Sequence, residues 1–416
     1  MRGRQRRLLE VTAVMGRHAS RAGGQLIAGW LRGGRGPHPP AGPVEVRAAL
    51  EELGPTFIKL GQLLSGRSDL VTTSYQQELG RLRDHVQPVP SAAVRDQIEH
   101  SLGRPVSEAY ARFEWEPLAS ASVGQVHAAT LPDGRAAVVK VRRPGICPQI
   151  EADLDLLDWL TRQLVRVGAL RRYDPVGLVD HFAAMLRYEV DYTIEAANAR
   201  DIGRALADRV EVETPDIIDP LSNASVLTMD RIDGVSLSDG VGLDEAGVDR
   251  SNLAATVVRT YMSMVLLQDR FHADPHPGNL FAMARGRLGI VDFGETGTVG
   301  PATRSAISAM LVAVASADAS FLAESVLEVC TATRDVDKAE LGADLRPLLV
   351  SASGALGSIR LGPLLHGLMR ILRRHGLWLP SDLALLLKTI IECESTAAEL
   401  DPHFDPATML SEFGRG

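Results

Sequence analysis

The chain has 416 residues and a formal charge of −8, from 44 Lys and Arg residues against 52 Asp and Glu residues. This length predicts two domains or one large two-lobed unit, and the acidic balance excludes nucleic acid as an expected partner. Cys147, Cys330 and Cys393 are scattered and lack C-x-x-C spacing, so neither a disulfide framework nor a zinc site is expected.

Positive charge is concentrated at the N-terminus. Residues 1–35 carry eight arginines and one acidic residue, and residues 33–43 are rich in Gly and Pro, so residues 1–43 are predicted to be a basic leader with a linker. Apolar residues interleave with the arginines, which fits either a helix on an anionic membrane surface or a frayed terminus. A second candidate for membrane contact is the helical stretch 361–379. Neither a membrane span nor a signal peptide is evident, so the expected location is the cytoplasm, with peripheral contact to the inner face of the membrane.

The pattern after the linker predicts three segments. Residues 44–105 have helical spacing and form an N-terminal extension. Residues 106–234 form a small β-rich lobe with a long helix. Its hairpin turns at Pro132-Asp133-Gly134 and its second strand ends on Lys140. Residues 235–416 form a lobe that is mostly helical, with one short strand pair at 280–283 and 288–292. The fold class is therefore α+β.

The strongest chemical motif is His272-Ala-Asp274-Pro-His276-Pro-Gly278-Asn279, followed thirteen residues later by Asp292-Phe293-Gly294. These spacings match the H-x-D-x-x-x-x-N and D-F-G motifs of kinases. Phosphoryl transfer needs a base beside the nucleophile, which Asp274 provides, and oxygen ligands for Mg²⁺, which Asn279 and Asp292 provide. Taken alone, H-x-D-x-H is also compatible with a transition-metal cluster.

Two upstream features are consistent with ATP binding. The chain has four lysines against 40 arginines, and Lys140 lies at the strand end where a kinase-like fold places the lysine that binds the α- and β-phosphates. The segment before it fits G-x-G-x-x-G-x-V with Ala at the first two glycines, so the loop is predicted to be stiffer than in protein kinases. The predicted nucleotide-binding residues of this loop are Ala119, Ser120, Ala121, Ser122, Val123, Gly124 and Val126.

These residues together resemble the UbiB/AarF family of atypical kinases associated with quinone (coenzyme Q) biosynthesis, from about residue 51 to residue 406. The Lys59-Leu-Gly61-Gln62 segment is similar to the family's K-x-G-Q motif, and Glu189-Val-Asp191 is similar to its E-x-D motif. Ser120 stands where the family usually has a third Ala of its alanine-rich loop.

The resemblance implies a protein-kinase-like two-lobed fold that binds ATP and Mg²⁺ between its lobes. It assigns Asp274, Lys140 and Glu195 to catalysis, with Glu195 paired to Lys140. Met229 and Asp230 fall where the adenine-contacting hinge is expected. The implied regulatory residues are Lys59, Gly61, Gln62, Glu189 and Asp191. Lys59 would reach either the E-x-D carboxylates, with Asp191 as its favoured partner, or the phosphates.

The chain also departs from protein kinases, because no A-P-E platform follows Gly294 and His276 stands where a phosphate-binding lysine is usual. We therefore expect ATP hydrolysis, or phosphorylation of a lipidic or quinone-precursor molecule, with quinone-biosynthesis enzymes and an anionic membrane as partners. Two alternatives stay open: a metabolite or antibiotic phosphotransferase, and a nucleotide-binding pseudokinase scaffold.

Overall fold

A computed structural model describes residues 2–31, 41–65, 71–82, 87–166, 175–354 and 361–404. The chain divides into two compact units. The first comprises residues 1–194 and 218–230, and the second comprises residues 195–217 and 231–416. This division differs from the predicted segments in two ways. The helical extension belongs to the same unit as the β-rich lobe, and residues 195–217 belong to the second unit. Most of the predicted linker, residues 33–40, lies outside the described residues.

The first unit combines helices with one antiparallel sheet. Its helices are α1 (Arg2–Leu31), α2 (Ala41–Leu53), α3 (Pro55–Ser65), α4 (Thr73–Leu79), α5 (Ser91–Leu102), α6 (Val106–Ala109), α7 (Ile146–Arg166) and α8 (Pro175–Glu189). Its strands are β1 (Arg112–Phe113), β2 (Ala119–Ser120), β3 (Gly124–Thr130) and β4 (Ala136–Arg142), and β6 (Val226–Asp230) follows later in the chain. The order across the sheet is β1-β3-β4-β6, with β2 paired to β3.

The β3–β4 hairpin is the predicted one, and its turn contains Gly134 with φ +90°, a left-handed conformation that glycine adopts without steric cost. Its side chains alternate between two faces, as the pleat of a strand requires. One face buries Val139 and Val141 in a core with α5 and α6. The opposite face carries Val138 and Lys140, so the sheet itself directs this lysine away from that core.

The second unit begins with the rest of α9 (Tyr192–Ala205), a helix that starts in the first unit. Its other helices are α10 (Gly240–Glu245), α11 (Arg250–Leu267), α12 (Pro301–Ala315), α13 (Ala319–Val329), α14 (Lys338–Gly354), α15 (Leu361–Arg374) and α16 (Ser381–Leu400). Its strands are β5 (Val212–Glu213), β7 (Val235–Ser236), β8 (Arg270–His272), β9 (Leu280–Ala282), β10 (Leu288–Ile290), β11 (Thr296–Thr298), β12 (Thr331–Ala332) and β13 (Leu377–Trp378). These strands form a sheet of order β5-β10-β9-β7 and two pairs, β8–β11 and β12–β13.

Helix α11 is buried on nearly every side, and its Leu253, Val257, Tyr261 and Met264 are part of the core of the second unit. Its first turn is capped by Asp249, which accepts from the backbone nitrogen of Asn252 at 3.0 Å. Strands β8 and β9 continue from this helix and flank the H-x-D-x-x-x-x-N segment. A largely buried helix therefore provides a rigid base for the loop with the strongest chemical motif.

The two segments that were predicted to contact the membrane form helices α1 and α15, and both helices pack against other parts of the chain. The leader is helical as α1, and its Val14 and His18 are buried. His18 contacts Glu45 and Glu52 of α2 at 2.7 and 3.0 Å, so this terminus is not frayed. In α15, Leu368 and Leu372 are buried in a second core of this unit, so this part of stretch 361–379 packs against protein. No helix among the described residues is both long and apolar enough to cross a bilayer.

Candidate functional site

The predicted catalytic loop is held in place by the hydrogen bonds of the His272 side chain. This residue is fully buried, its Nδ1 lies 2.8 Å from the Tyr261 hydroxyl, and its Nε2 lies 2.8 Å from the Asp292 carbonyl oxygen. Burial lowers the pKa of His272 and raises that of Tyr261, so near neutral pH the ring is uncharged and the phenol is protonated. The carbonyl can only accept, so Nε2 donates to Asp292 and Nδ1 accepts from Tyr261. His272 thus links the H-x-D and D-F-G motifs.

Asp274 and Asn279 are directly bonded. The Asn279 amide nitrogen donates to Asp274 Oδ2 at 2.7 Å, and both side chains are partly exposed. The amide oxygen of Asn279, which is the atom that binds hard cations, is not used in this bond. This geometry brings the predicted base and one predicted magnesium ligand together in the second unit.

Asp292 has an unusual backbone conformation. Its φ is +61°, in the left-handed region, which costs a non-glycine residue about 1–3 kcal/mol. Its carboxylate accepts from the backbone nitrogen of Gly294 at 3.2 Å, and its carbonyl accepts from His272. Strain of this kind persists only where surrounding contacts enforce it, and it is concentrated at active sites and switch regions.

The donor set fits Mg²⁺, because Asp292 and Asn279 supply a carboxylate and an amide oxygen. It does not fit the transition-metal alternative. Both ring nitrogens of His272 are used within the protein, and the described residues contain no group of three or more His, Cys, Asp or Glu side chains placed to hold a metal ion.

The predicted phosphate loop is a closed turn in the first unit. The backbone nitrogen of Ala121 donates to the carbonyl of Gly124 at 2.9 Å. Arg143, which sequence reasoning missed, donates to Ser120 Oγ at 2.8 Å and to the Ala121 carbonyl at 2.9 Å. These bonds give a physical reason for the predicted stiffness. The Ser122 hydroxyl is buried and has no hydrogen-bond partner among the described residues, so it fits as a donor to an anionic oxygen.

A side chain at Gly124 of this loop would clash with neighbouring atoms. A Cβ there would lie 2.1 Å from the Tyr192 hydroxyl and 2.9 Å from the carbonyl oxygen of Val141. The third glycine of the motif is therefore explained by close packing. Val126, the residue that follows in the motif, is paired with Lys140 across the hairpin.

The remaining nucleotide-binding predictions lie on β6, where Met229 is buried and is paired with Val138. The side chain of Asp230 forms a partly exposed ion pair with Arg135 at 3.0 Å. The predicted contact of Met229 and Asp230 with adenine stays a prediction. Glu195 is buried in the first turn of α9 in the second unit. Its predicted pairing with Lys140 of the first unit stays a prediction.

The regulatory motifs meet in the first unit. Lys59 Nζ lies 2.8 Å from Glu189 Oε1, with the two side chains 18% and 27% exposed. Asp191, the favoured partner of Lys59 in the sequence-based prediction, instead accepts from the nitrogen and hydroxyl of Thr193 at the start of α9. The first carboxylate of E-x-D is therefore the one that pairs with Lys59, because α8 ends at Glu189 and the chain bends before α9.

The other two K-x-G-Q residues pack within the N-terminal helices. A Cβ at Gly61 would lie 2.3 Å from Leu82 Cδ1 and 2.8 Å from Leu50 Cδ1, so leucine side chains crowd this glycine. Gln62 donates to the Leu82 carbonyl at 3.2 Å. These contacts hold α3 against the segment that follows α4.

Comparison with known proteins shows the family to which the chain is similar. The chain matches the model of the ABC1 atypical kinase-like domain over residues 81–326 and that of the UbiB helical domain over residues 353–405. A protein described as probable protein kinase UbiB from Marinobacter nauticus is 37% identical over 366 residues, which cover 86% of this chain and 67% of that protein. A counterpart with the same description from Xanthomonas campestris is 36% identical over 373 residues, covering 86% and 67%.

A solved structure supports the fold. Rv3197 from Mycobacterium tuberculosis, determined in complex with erythromycin, superimposes with a TM-score of 0.63 at 23% identity, covering 85% of this chain and 89% of that one. At this identity the similarity extends to the fold alone. The predicted class, a kinase-like α+β fold with N-terminal helices and a helical C-terminal region, is confirmed.

Proposed function

The chain belongs to the UbiB/ABC1 family of atypical kinase-like proteins, and on that premise we propose that it binds Mg-ATP and transfers the γ-phosphoryl group to water or to a small or lipidic acceptor. The observation that carries the proposal is the group formed by Asp274, Asn279 and Asp292 around the buried His272. In the cell this activity would support isoprenoid-quinone biosynthesis or lipid handling.

Each unit contributes a defined set of groups. In the first unit, Lys140 and the closed turn at Ala121–Gly124 would bind the phosphates, and the apolar side chains of Val126 and Met229 would contact the adenine ring. In the second unit, Asp274 would accept the proton of the attacking hydroxyl or water, while Asn279 and Asp292 would hold Mg²⁺. When bound, Mg²⁺ neutralises the negative charge of the phosphates.

Purified protein tests the proposal directly. With Mg-ATP it should release inorganic phosphate, and with EDTA in place of Mg²⁺ it should not. If the protein binds nucleotide normally but releases no phosphate, the pseudokinase scaffold is the correct description. If a panel of aminoglycosides and other metabolites accelerates ATP consumption far more than lipidic phenols do, the metabolite phosphotransferase is correct.

We further propose that the Lys59–Glu189 pair restrains α3 and thereby regulates the site. Its partly buried geometry is worth about 1 kcal/mol, or roughly five-fold in an equilibrium. Lys59→Ala should therefore change the ratio of ATP to ADP affinity, or raise autophosphorylation, by about that factor. Glu189→Gln should reproduce the effect, because it removes the same pair, whereas Lys59→Arg should largely preserve it. Unchanged nucleotide affinities and autophosphorylation in Lys59→Ala would refute this role.

We also propose that the exposed part of α1 contacts an anionic membrane. Leu9 and Met15 of α1 are 72% and 40% exposed. The same helix carries the exposed arginines Arg6 and Arg17, which pair with Glu10 and Glu52, and the phosphates of acidic lipid would compete for these guanidinium groups. The protein should float with phosphatidylglycerol-containing vesicles and not with phosphatidylcholine alone. Leu9→Glu combined with Met15→Glu should abolish flotation.

Deletion of the helix is the wrong test, because Val14 and Arg7 of α1 also contribute to the packing of the first unit. Val210→Glu is the matched control, since Val210 is 85% exposed in the second unit. Equal flotation of the double variant and this control would place the membrane contact elsewhere.

A further inference from the structure

Helix α16 packs against the catalytic loop. The hydroxyl of Thr389 is shared between the carbonyl oxygens of Leu385 at 2.9 Å and Ala273 at 3.2 Å, and the hydroxyl of Thr396 donates to the Pro275 carbonyl at 2.8 Å. Both threonines are buried. The carbonyls of Ala273 and Pro275 flank Asp274, so this helix fixes the position of the predicted base from both sides.

The residue before Thr389 is a lysine held by carboxylates. Lys388 Nζ lies 2.8 Å from Glu295 Oε2 and 3.8 Å from Glu392 Oε1. Glu295 follows the D-F-G motif, and its carbonyl accepts from the backbone nitrogen of Ala273 at 3.0 Å. Helix α16 thus brings a cation to the point where the H-x-D and D-F-G segments are bonded to each other.

The electrostatics keep this lysine charged. Burial alone lowers the pKa of Lys388, but Glu295, Glu392 and Asp274 outweigh that effect and raise it above its usual value. Asp274 therefore lies within the electrostatic reach of the ammonium group. The side chain is 43% exposed, so this lysine lies at the protein surface and not within the core.

The catalytic loop itself lacks the usual cation. His276 stands two residues after Asp274, where protein kinases usually carry a lysine, and its Nδ1 accepts from the backbone nitrogen of Gly278 at 3.0 Å. Its ring therefore stabilises the turn before Asn279. The charge that develops on a transferred phosphoryl group requires a cation from another element.

We propose that Lys388 is that cation: a catalytic residue, contributed by the C-terminal helix, that binds an oxygen of the transferred phosphoryl group. The inference rests on the proposed function. In the reaction, the acceptor oxygen forms a bond to the γ-phosphorus and the bond from that phosphorus to the β,γ-bridging oxygen breaks. The acceptor proton goes to Asp274, and ADP leaves with the bonding electrons. Glu295 and Glu392 orient the ammonium group before the phosphoryl group arrives.

The test compares two lysines of the same unit. Lys338 forms an ion pair with Glu324 at 2.9 Å and is 49% exposed, on a helix that packs against α13 and α15. Lys388→Met should lower kcat for phosphate release by about 10²-fold, the loss typical of a removed oxyanion donor. The affinity for Mg-ATP should stay unchanged, because the contact is made in the transition state. The thermal midpoint should shift by no more than a few degrees, because the ion pairs of Lys388 with Glu295 and Glu392 are partly exposed and contribute about 1 kcal/mol or less. Lys338→Met should match the parent in all three measurements, and Lys388→Arg should restore much of kcat.

Two further measurements separate catalysis from a structural ion pair. Glu295→Gln breaks the pair but leaves the ammonium group in place, so it should cost much less activity than Lys388→Met. Lys388→Met should also weaken binding of ADP with vanadate, which mimics the transferred phosphoryl group, while ADP binding alone is unchanged. Equal losses in Glu295→Gln and Lys388→Met, or parent-like kcat in Lys388→Met, would overturn the inference. If the parent protein itself releases no phosphate, the proposed function fails first, and the inference fails with it.

Discussion

Asp274→Asn and Asp292→Asn should each reduce phosphate release from Mg-ATP by about 10²–10⁴-fold, the range expected when a general base or an essential charged group is removed. Asp274→Asn replaces the proton acceptor with a group that cannot accept a proton, while the hydrogen bond to Asn279 can be retained by the amide oxygen. Phosphate release under single-turnover conditions measures the effect without a contribution from product release.

Asn is the appropriate replacement at Asp292 because of the backbone. The φ of +61° is tolerated by Asn far better than by Ala, so Asp292→Asn tests the carboxylate without adding conformational strain. It should weaken the binding of Mg²⁺, seen as a higher Mg²⁺ concentration for half-maximal phosphate release. Asp292→Ala should lower stability in addition, which a thermal midpoint would detect.

Asp233→Asn is the control for both variants. This aspartate of the second unit is 79% exposed and forms an ion pair with Arg231, two residues earlier in the chain. It should leave phosphate release at the parent level. If Asp274→Asn retained parent activity within a few-fold, the assigned base would be wrong. A parent-like Mg²⁺ response in Asp292→Asn would remove the magnesium assignment.

Local patterns in the sequence were sufficient for the parts of the site that are contiguous in the chain. The spacing of H-x-D-x-x-x-x-N and D-F-G predicted that Asp274 and Asn279 share one loop, and they are bonded in the structure. Strand periodicity with the Pro-Asp-Gly turn predicted the hairpin that ends near Lys140. In each case the interaction that forms the feature joins residues that are close in sequence.

The parts that were missed depend on distant residues. Thr389 and Thr396 bond carbonyls of the catalytic loop more than 100 residues earlier, and no periodicity encodes that contact. The amphipathic pattern of α15 was ambiguous because burial in a protein core and binding to lipid select the same apolar face. The E-x-D motif was assigned the wrong partner for Lys59 because the end of α8 at Glu189 could not be located from spacing alone.

Arg7→Ala should destabilise the first unit by about 3–5 kcal/mol, the cost of leaving a buried charge without its partner. Asp153 is fully buried, and the guanidinium of Arg7 forms an ion pair with it while also donating to the Leu53 carbonyl at 2.7 Å. Hydrogen exchange in residues 2–20 and urea unfolding followed by tryptophan fluorescence would measure the loss. Arg6→Ala is the matched control, because Arg6 is 85% exposed and contacts Glu10 one turn away, so exchange there should barely change.

The pH dependence of the Arg7→Ala variant provides a second, independent check. Burial already raises the pKa of Asp153 above its ordinary value even with Arg7 present, and without the guanidinium that pKa rises further. An acid whose pKa is higher in the folded state than in the unfolded state destabilises the fold only while it is ionised in the unfolded chain. The loss of unfolding free energy in Arg7→Ala should therefore be largest above the pKa of Asp153 in the folded state. It should disappear as the pH falls towards the ordinary pKa of Asp, where both states are protonated.

Arg7→Met combined with Asp153→Leu should recover most of the lost stability at neutral pH, since an apolar pair of similar volume replaces a buried ion pair at little cost. Equal instability of this double variant and Arg7→Ala would show that the loss does not come from an unpaired Asp153 carboxylate, and would contradict the assigned cause.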